Sequence, residues 1–439
     1  MKRFTWILAV VVAVLLVLPA GASAKKITIN WWHAHGGQLG ERVNEIAAGF
    51  NKSQDQYELV ATYKGSYTDT MTAGIAAFRS KTPPHILQVF EVGTASMMAA
   101  KGAVKPVHEV MKESGLPFDP KVYLPTVTAY YTTKDGRMIS MPFNSSTPVL
   151  YYNKDAFRKA GLDPANPPKT WPEMGEAGKK LVVAGFNAGF STAWITWIHL
   201  ETFSAWHNVP FGTRANGFEG LDTQFLFNSP LHVKHIQQLS DWQKDKIFAY
   251  GGRDNKGNAM FSSGEAAMYT ESSAGYAGFK KTCQFDFGTA MLPYWPDAKG
   301  APQNTIIGGA SLWVMRGHPK AEYKAVAAFF NYLSSPEVQA TWHQATGYLP
   351  ITQAAYDLTR KQGFYEKNPN LETALKQMTL KKPTVNSKGI RFGNLPQIRE
   401  IVYDELEAIF SGKKTAKQGL DDAVSAGNKK LRQFEEDNK

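Results

Sequence analysis

The sequence has 439 residues, a formal net charge of +11 and 12% aromatic side chains. This length allows two domains of ordinary size, and the single cysteine, Cys283, excludes an internal disulfide. The positive balance favours anionic partners, but Lys and Arg are dispersed along the chain rather than arranged in a stripe, which argues against nucleic acid as a partner.

Residues 1–24 have the pattern of a secretory signal. Lys2 and Arg3 precede an apolar run from Ile7 to Leu18, and the small residues 22–24 form a cleavage site. The run is short for a membrane span, and no cysteine follows it to carry a lipid anchor. We expect cleavage after about Ala24, which removes two cations and no acid and lowers the net charge to +9.

The chain after the signal alternates between strand and helix patterns. Strands are predicted over 27–31, 57–63 and 85–90, and helices over 39–50, 67–79 and 95–100. This alternation predicts an α/β protein with a mostly parallel sheet covered by helices on both faces. Asp135-Gly136 predicts a hairpin turn between Tyr130-Tyr131 and Met138-Ile139.

A polar stretch between two prolines interrupts this pattern. Pro142 and Pro148 keep the chain extended around residues 144–147, which read Asn-Ser-Ser-Thr. Small hydroxyl residues are poor core filler, so one interpretation is a strand that is open to a ligand. An ordinary edge strand with a polar bulge is the other interpretation, and the local pattern leaves both open.

The α/β pattern restarts beyond this stretch. Thr170 and Glu173 form a capping box that opens a helix, and Pro230 opens another. A strand is predicted over 266–270, and a last amphipathic helix from Pro396 to about Phe410.

Several motifs, taken in order, resemble the extracellular solute-binding proteins of ABC importers, the maltose-binding-protein-like group. They are Pro-Phe-Asn-Ser-Ser-Thr-Pro at 142–148, Phe-x-x-Gly-x-Ala-Ala-Met at 261–268, Phe-Gly-Thr-Ala-Met-Leu-Pro at 287–293, Ile-Gly-Gly-Ala-Ser-Leu-Trp-Val at 307–314, and the segment 342–350. The first motif resembles in particular the glycerol-phosphate-binding members of that group. Each motif alone is weak; their order carries the resemblance, which covers essentially the whole chain after the signal.

The resemblance implies a two-lobed periplasmic-binding-protein fold with three hinge crossings, near residues 145, 291 and 340, and a ligand cleft between the lobes. The implied lobes are 25–144 with 292–340, and 145–291 with 341–439. It further implies a periplasmic receptor that captures sn-glycerol 3-phosphate or a diester such as glycerophosphocholine. The receptor would deliver this ligand to the permease subunits of an ABC importer, as a monomer, with no cofactor and no catalysis.

Other functions remain as alternatives. An oligosaccharide receptor is the first alternative, because sugars are the commonest ligands of the group. A secreted hydrolase with two cleft carboxylates is the second; no local motif marks such a pair, and no nucleophile elbow, zinc-protease motif or phosphate-binding loop is present. For a metal, neither His33 with His35 nor His232 with His235 has a third ligand nearby in the sequence, so none is predicted.

Arg399 is the most informative charged residue. It lies near the start of the last predicted helix, where a cation opposes the helix dipole unless an anion is held there. A surface ion pair with Glu400 or Asp404 is the competing interpretation. The glycerol-phosphate-binding proteins have an arginine at this motif, which implies that Arg399 holds the phosphate.

Trp194 and Trp197 are three residues apart at a predicted helix start, which would place them on one face. Two indoles there could form a platform for a glycerol body or a seat for a quaternary ammonium group. Such a pair more often packs in the core of a protein. The resemblance implies that both line the cleft.

The resemblance also marks other ligand-binding positions: Tyr67, Glu91, Ser146, Ser272, Gly309 and Tyr348. Hydroxyls and a glycine N–H can donate to phosphate oxygens. Repulsion would place Glu91 away from the phosphate, at the glycerol hydroxyls. Gly309 alone would be a turn glycine, and Tyr67 alone a core residue. Glu271 departs from the usual pattern and would either weaken phosphate binding or point to solvent.

Overall fold

The computed structural model describes residues 25–100 and 102–439, so the predicted signal in 1–24 lies outside the described residues. The strands that these residues form are β1 (Ile27–His33), β2 (Tyr57–Tyr63), β3 (Ile86–Phe90), β4 (Val104–Lys105), β5 (Met141–Ser146), β6 (Pro148–Asn153), β7 (Ala188–Thr192), β8 (Phe248–Tyr250), β9 (Ala266–Ser272), β10 (Phe287–Ala290) and β11 (Gly308–Met315). None of the described helices is both long and apolar enough to cross a membrane.

The helices in the first half of the described chain are α1 (Gly37–Ser53), α2 (Tyr67–Arg79), α3 (Thr94–Ala99), α4 (Val107–Ser114), α5 (Pro125–Tyr131), α6 (Lys154–Lys159), α7 (Trp171–Val183), α8 (Phe203–Trp206) and α9 (Thr213–Gly217). Those in the second half are α10 (Pro230–Lys244), α11 (Asn258–Ser262), α12 (Tyr276–Thr282), α13 (Lys320–Leu333), α14 (Pro336–Thr346), α15 (Gln353–Lys361), α16 (Phe364–Lys367), α17 (Thr373–Met378), α18 (Leu395–Phe410) and α19 (Ala416–Asn438). A π-helix, Trp197–Thr202, precedes α8.

The strands form two separate sheets. The first has the order β2-β1-β3-β11-β4, with β5 also paired to β11, and the second has the order β10-β6-β9-β7-β8. Both sheets are mixed rather than mostly parallel, because β11 runs antiparallel to β3, β4 and β5, and β6 runs antiparallel to β9 and β10. Each of these antiparallel pairs involves β11, which returns late in the chain, or β6, which enters directly from the other sheet.

The chain passes between the sheets three times, as expected for the two-lobed fold. Thr147 alone separates β5 in the first sheet from β6 in the second. The chain returns between β10 and β11, and α14 then packs under the first sheet, where Trp342 stacks on Phe143 at 4.8 Å. Farther on, Gln377 in α17 donates to the Pro148 carbonyl of β6, so the chain has gone back to the second sheet.

The local sequence accounts for most element starts. Thr170 and Glu173 form the expected capping box at the start of α7, and Pro230 occupies the first turn of α10. The predicted turn at Asp135-Gly136 is present, with Gly136 N–H donating to the Thr133 carbonyl. The prediction of a strand before the turn is wrong. Tyr130 and Tyr131 end α5, and only one bridge, between residues 132 and 138, flanks the turn.

Candidate functional site

A cavity of about 760 Å³ lies between the two sheets. This volume is within the usual range of small-molecule sites. The nine residues predicted to bind ligand all line it: Tyr67, Glu91, Ser146, Trp194, Trp197, Ser272, Gly309, Tyr348 and Arg399. They come from loops, strand ends and helix starts that are far apart in the sequence, and the two-sheet arrangement brings them together.

Arg399 is buried, with 8% of its surface exposed, and it contacts two carboxylates. Its Nε and Nη2 donate to the two oxygens of Glu201 at 2.7 Å each, and Nη2 also donates to Glu91 Oε1 at 2.8 Å. Burial opposes the charge of Arg399, but the two carboxylates raise its pKa, so it remains a cation. Burial raises the pKa of Glu91, and Arg399 opposes that shift.

Two expectations about these residues are corrected. Arg399 is the fifth residue of α18 and does not pair with Glu400 or Asp404; Arg253 contacts both of those acids on the surface. Glu91 does not lie at the opposite end of the site from Arg399, since the two side chains are in direct contact. The physical reason is the same for both: a buried guanidinium requires anionic partners, and the protein supplies two of its own.

The cavity is acidic rather than basic. Glu91, Asp254 and Glu271 line it together with Arg399, which is the only Lys or Arg among the described lining residues. Burial raises the pKa of Asp254 and raises that of Glu271 to about 8. Glu271 is 2% exposed, its Oε1 accepts from Ser272 N–H at 2.6 Å, and its Oε2 is buried without a hydrogen-bond partner. Glu271 therefore does not point to solvent, and it is largely neutral at pH 7.

Neutral donors occupy the seam where β5 meets β11. Gly308 pairs with Ser146, and Gly309 pairs with Ser145. Gly309 has φ of +100°, and a Cβ there would overlap the Asn144 carbonyl oxygen, so only glycine fits. Ser272 accepts from Ala274 N–H at 3.2 Å, which leaves its own hydroxyl hydrogen for another acceptor.

Two helix starts also reach the cavity. Gly36, Gly37 and Gln38 at the start of α1 line it, and no side chain caps this 17-residue helix. Ser66, which caps α2, lies beside them. The free N–H groups and the dipole of a helix start favour an anion.

The two tryptophans line the cavity but do not share a helix face. Trp194 has φ of +43° and lies before the helical segment, with its N–H donating to the Asp254 carbonyl at 2.7 Å. Trp197 is the first residue of the π-helix, and its buried Nε1 has no hydrogen-bond partner. The expectation of one helical face was wrong because the backbone of Trp194 is in the left-handed region.

Two stacked ring pairs fix Tyr67 and Tyr348 against the cavity wall. The Tyr67 ring stacks on Phe90 at 5.5 Å, and the Tyr348 ring stacks on Trp342 at 5.6 Å. Burial raises the pKa of Tyr348 to about 12, so its hydroxyl keeps its hydrogen at ordinary pH. The Tyr348 hydroxyl is therefore available as a hydrogen-bond donor.

Sequence patterns did not mark Glu201 or Asp254, and they marked Asn144 only as part of the polar stretch 144–147. Glu201 holds Arg399, Asn144 Nδ2 donates to Tyr67 at 2.9 Å, and Asp254 lies beside Glu271. One sequence signal was available for Glu201. It lies four residues after Trp197, and this spacing places two residues on the same face of a helix.

Both histidine pairs are engaged in hydrogen bonds within the protein. His35 N–H donates to His33 Nδ1 at 3.3 Å, and His235 contacts His199 at 2.9 Å. Among the described residues, His85, His318 and Glu322 do converge, outside the cavity. Asn30 N–H donates to His85 Nδ1, so His85 Nε2 carries the hydrogen given to Glu322 and has no lone pair for a metal.

Comparison with known proteins gives strong matches. A family described as bacterial extracellular solute-binding proteins matches residues 45–373. The sn-glycerol-3-phosphate-binding periplasmic protein UgpB of Yersinia pseudotuberculosis is 53% identical over 430 residues, covering 98% of each chain. UgpB of Escherichia coli strain K12 is 53% identical over 413 residues, covering 94% of each chain.

Solved structures share the fold. UgpB from Mycobacterium tuberculosis in complex with glycerophosphocholine superposes with a TM-score of 0.79 at 22% identity, over 93% of this chain and 100% of that chain. Maltose-bound MalE3 from T. maritima superposes with a TM-score of 0.75 at 18% identity, over 93% of this chain and 100% of that chain.

Proposed function

Because this chain belongs to the bacterial extracellular solute-binding protein family, we propose that it is an extracytoplasmic receptor for sn-glycerol 3-phosphate and glycerophosphodiesters. It delivers its ligand to an ABC transporter and makes or breaks no bond. The observation that carries this proposal is the single cavity lined by all nine expected residues, from both sides of the two-sheet fold. Relatives that are 53% identical and named for sn-glycerol 3-phosphate support the same ligand class.

The glycerol end of the ligand binds at Glu91 and Arg399. Arg399 Nη2 donates to Glu91 Oε1, and Arg399 Nε and Nη2 donate to the two oxygens of Glu201. Arg399 Nη1 and Glu91 Oε2 then serve the ligand as adjacent donor and acceptor. Each hydroxyl of a vicinal diol can donate to a carboxylate and accept from a guanidinium, so this pair suits glycerol.

The phosphate binds away from Arg399, which revises the expectation that Arg399 clamps it. Arg399 already has two carboxylate partners, Glu91 and Glu201, so it has little positive charge to offer a phosphate placed beside it. The hydroxyls of Ser146, Ser272 and Tyr348 and the N–H of Gly309 offer uncharged donors instead. The start of α1 adds a favourable dipole. Trp194 and Trp197 provide apolar walls, where the head group of a diester would lie.

Family membership supports a proposal for the location, the partners and the lobe limits. We propose a periplasmic monomer whose signal is cleaved after about Ala24 and which docks on the permease subunits of the importer. The expected lobes are 25–144 with 292–340, and 145–291 with 341–439. Because residues 294 and 303 bond to α7 and α8 of the second lobe and α14 packs on the first sheet, we propose that the second and third boundaries lie after residue 303 and after Thr346. Ligand binding selects the closed arrangement of these lobes.

An oligosaccharide receptor is the second candidate. Two tryptophans and several acids line the cavity, and such a lining also suits neutral sugars. The uncharged donor cluster at Ser146, Ser272 and Gly309 favours the phosphorylated ligand.

Calorimetric titration of the purified protein with sn-glycerol 3-phosphate, glycerophosphocholine and maltose tests the proposal. We expect binding of at least one phosphorylated ligand and no binding of maltose. Maltose binding without either phosphorylated ligand would establish the sugar receptor instead. Turnover of glycerophosphocholine by the pure protein would establish a hydrolase.

A further inference from the structure

A buried row of side-chain amides runs beneath the cavity from β3 to β5. We propose that Gln88 and Asn144 are positioning residues that orient the Tyr67 hydroxyl, so that the tyrosine pair offers a hydrogen rather than a lone pair to the ligand. The inference rests on the proposed function in one respect: it takes the ligand oxygen at this wall to be an acceptor, such as a phosphate oxygen.

The orientation of Gln88 is fixed by the backbone. Ala34 N–H donates to the Gln88 side chain at 2.7 Å, and a backbone N–H can only donate. The accepting atom must therefore be Oε1, which leaves Nε2 on the other side of the amide. Gln88 is fully buried, so no solvent competes for this contact.

Gln88 in turn fixes Asn144. Gln88 Nε2 donates to Asn144 at 2.8 Å, so the accepting atom is Oδ1 and the remaining atom is Nδ2. Nδ2 then donates to the Tyr67 hydroxyl oxygen at 2.9 Å. Asn144 is also fully buried. The Ala34 N–H thus fixes the orientation of the Gln88 amide, which fixes that of the Asn144 amide, so that Asn144 donates to Tyr67.

The hydroxyl hydrogen of Tyr67 must point away from Asn144, since Asn144 already donates to its oxygen. Burial raises the pKa of Tyr67, and the neighbouring Tyr348 raises it further, so the Tyr348 hydroxyl is the nearby group that can accept this hydrogen. Both rings line the cavity. Whether Tyr67 donates to Tyr348 or to the ligand, one hydroxyl hydrogen of the pair is left to point into the cavity.

The same amide sets the tautomer of His35, which gives an independent check. Gln88 Nε2 lies 2.9 Å from His35 Nε2 and has its second hydrogen to donate, so His35 Nε2 accepts. The ring hydrogen then lies on Nδ1. Burial lowers the pKa of His35 to about 3, so the ring is neutral at ordinary pH.

The first test needs no ligand. We expect ¹⁵N NMR of the full-length mature protein to show His35 protonated on Nδ1. In Gln88→Glu the second carboxylate oxygen replaces Nε2, so His35 should become protonated on Nε2. Protonation of His35 on Nε2 in the wild-type protein would overturn the assignment, whatever ligand the protein binds.

The second test is a double-mutant cycle with sn-glycerol 3-phosphate. Asn144→Asp replaces the donating nitrogen by a carboxylate oxygen that accepts from Tyr67 and so reverses the direction of donation. This variant should weaken binding about tenfold or more. Tyr67→Phe should weaken binding similarly, and the double variant should be no weaker than the poorer single variant. Fully additive losses would overturn the inference, because Asn144 would then act by charge or packing alone.

Thermal unfolding of each variant checks that it is folded, and Gln88→Glu replaces Asn144→Asp in the cycle if the latter does not fold. If the wild-type protein binds neither phosphorylated ligand, the proposed function fails, and the His35 tautomer still decides whether the amides have the stated orientation.

Discussion

Arg399 is a buried charge with two buried partners, and we propose that it also contacts the ligand. Its guanidinium contacts Glu91 and Glu201 in a site that excludes most water. The mutual attraction of the three groups offsets the cost of removing them from water. Removal of the arginine alone would leave two buried carboxylates without a counter-charge.

We expect Arg399→Ala to lower the free energy of unfolding by about 3 kcal/mol and to abolish ligand binding. The measurement is urea unfolding at neutral pH. Arg253→Ala is the matched control, because Arg253 contacts Glu400, Asp404 and Glu407, but on the surface. The control should cost about 1 kcal/mol or less. Equal losses for the two variants would contradict the buried-triad account.

We expect Glu271 to make ligand affinity depend on pH. Burial raises its pKa to about 8, so it is mostly neutral at pH 7 and gains a negative charge as the pH rises through 8. That charge would repel the phosphate across the cavity. We therefore expect affinity for sn-glycerol 3-phosphate to fall about tenfold between about pH 7 and pH 9.5. The phosphate itself does not change charge over this range, since it stays dianionic above its second pKa of about 6.

Calorimetry across that range provides the measurement, and Glu271→Gln is the control, since it keeps the shape and cannot ionise. The variant should lose most of the pH dependence. A variant that keeps the full pH dependence would show that another group is responsible.

The residues of the site were predictable from family motifs and not from local pattern. Tyr67 and Gly309 have ordinary local explanations, and only the resemblance assigned them to a cleft. The partner of Arg399 could not be predicted, because Glu201 is 198 positions away in the sequence and Glu91 is 308 away. Periodicity carries information over one element, and these contacts are set by the packing of two sheets.

The seam between β5 and β11 is the element on which the site depends most. Ser146 ends β5 and Gly309 lies near the start of β11, where the pairing shifts register between Ala310 and Ser311. Gly309 has a positive φ at this point of β11, and it lines the cavity.

We expect Gly309→Ala to destabilise the protein by about 2 kcal/mol or more and to eliminate binding, since its Cβ would overlap the Asn144 carbonyl. Gly115→Ala is the matched control: Gly115 also has positive φ, of +74°, but a Cβ there meets nothing within 4 Å. The control should cost about 1 kcal/mol and keep binding intact. Thermal unfolding and calorimetry measure both effects, and retained binding in Gly309→Ala would contradict the placement of the phosphate at this seam.

At the scale of elements, regular helices and strands were predicted better than their exceptions. The capping box of α7 and the proline start of α10 are local signals, and the structure confirms both elements. Trp194, with positive φ, and the π-helix after it have no such signal, because tertiary contacts hold them. These irregular segments border the cavity, where departures from regular backbone are common.

At the scale of the whole molecule, the net charge is positive, whereas the cavity lining is acidic. The sequence has a net charge of +11, yet Glu91, Asp254 and Glu271 line the cavity with one arginine. A positive surface attracts anions from solution, and in the proposed function the uncharged donors at the cavity wall then bind them. Composition alone predicted an anionic ligand but could not show that the interior is acidic.

Crystallography of the protein with sn-glycerol 3-phosphate bound tests the central claim most directly. We predict that the glycerol hydroxyls contact Glu91 and Arg399, and that the phosphate contacts Gly309 N–H and the Ser146 hydroxyl. A phosphate bound directly to Arg399, with Glu91 and Glu201 displaced from it, would contradict this account.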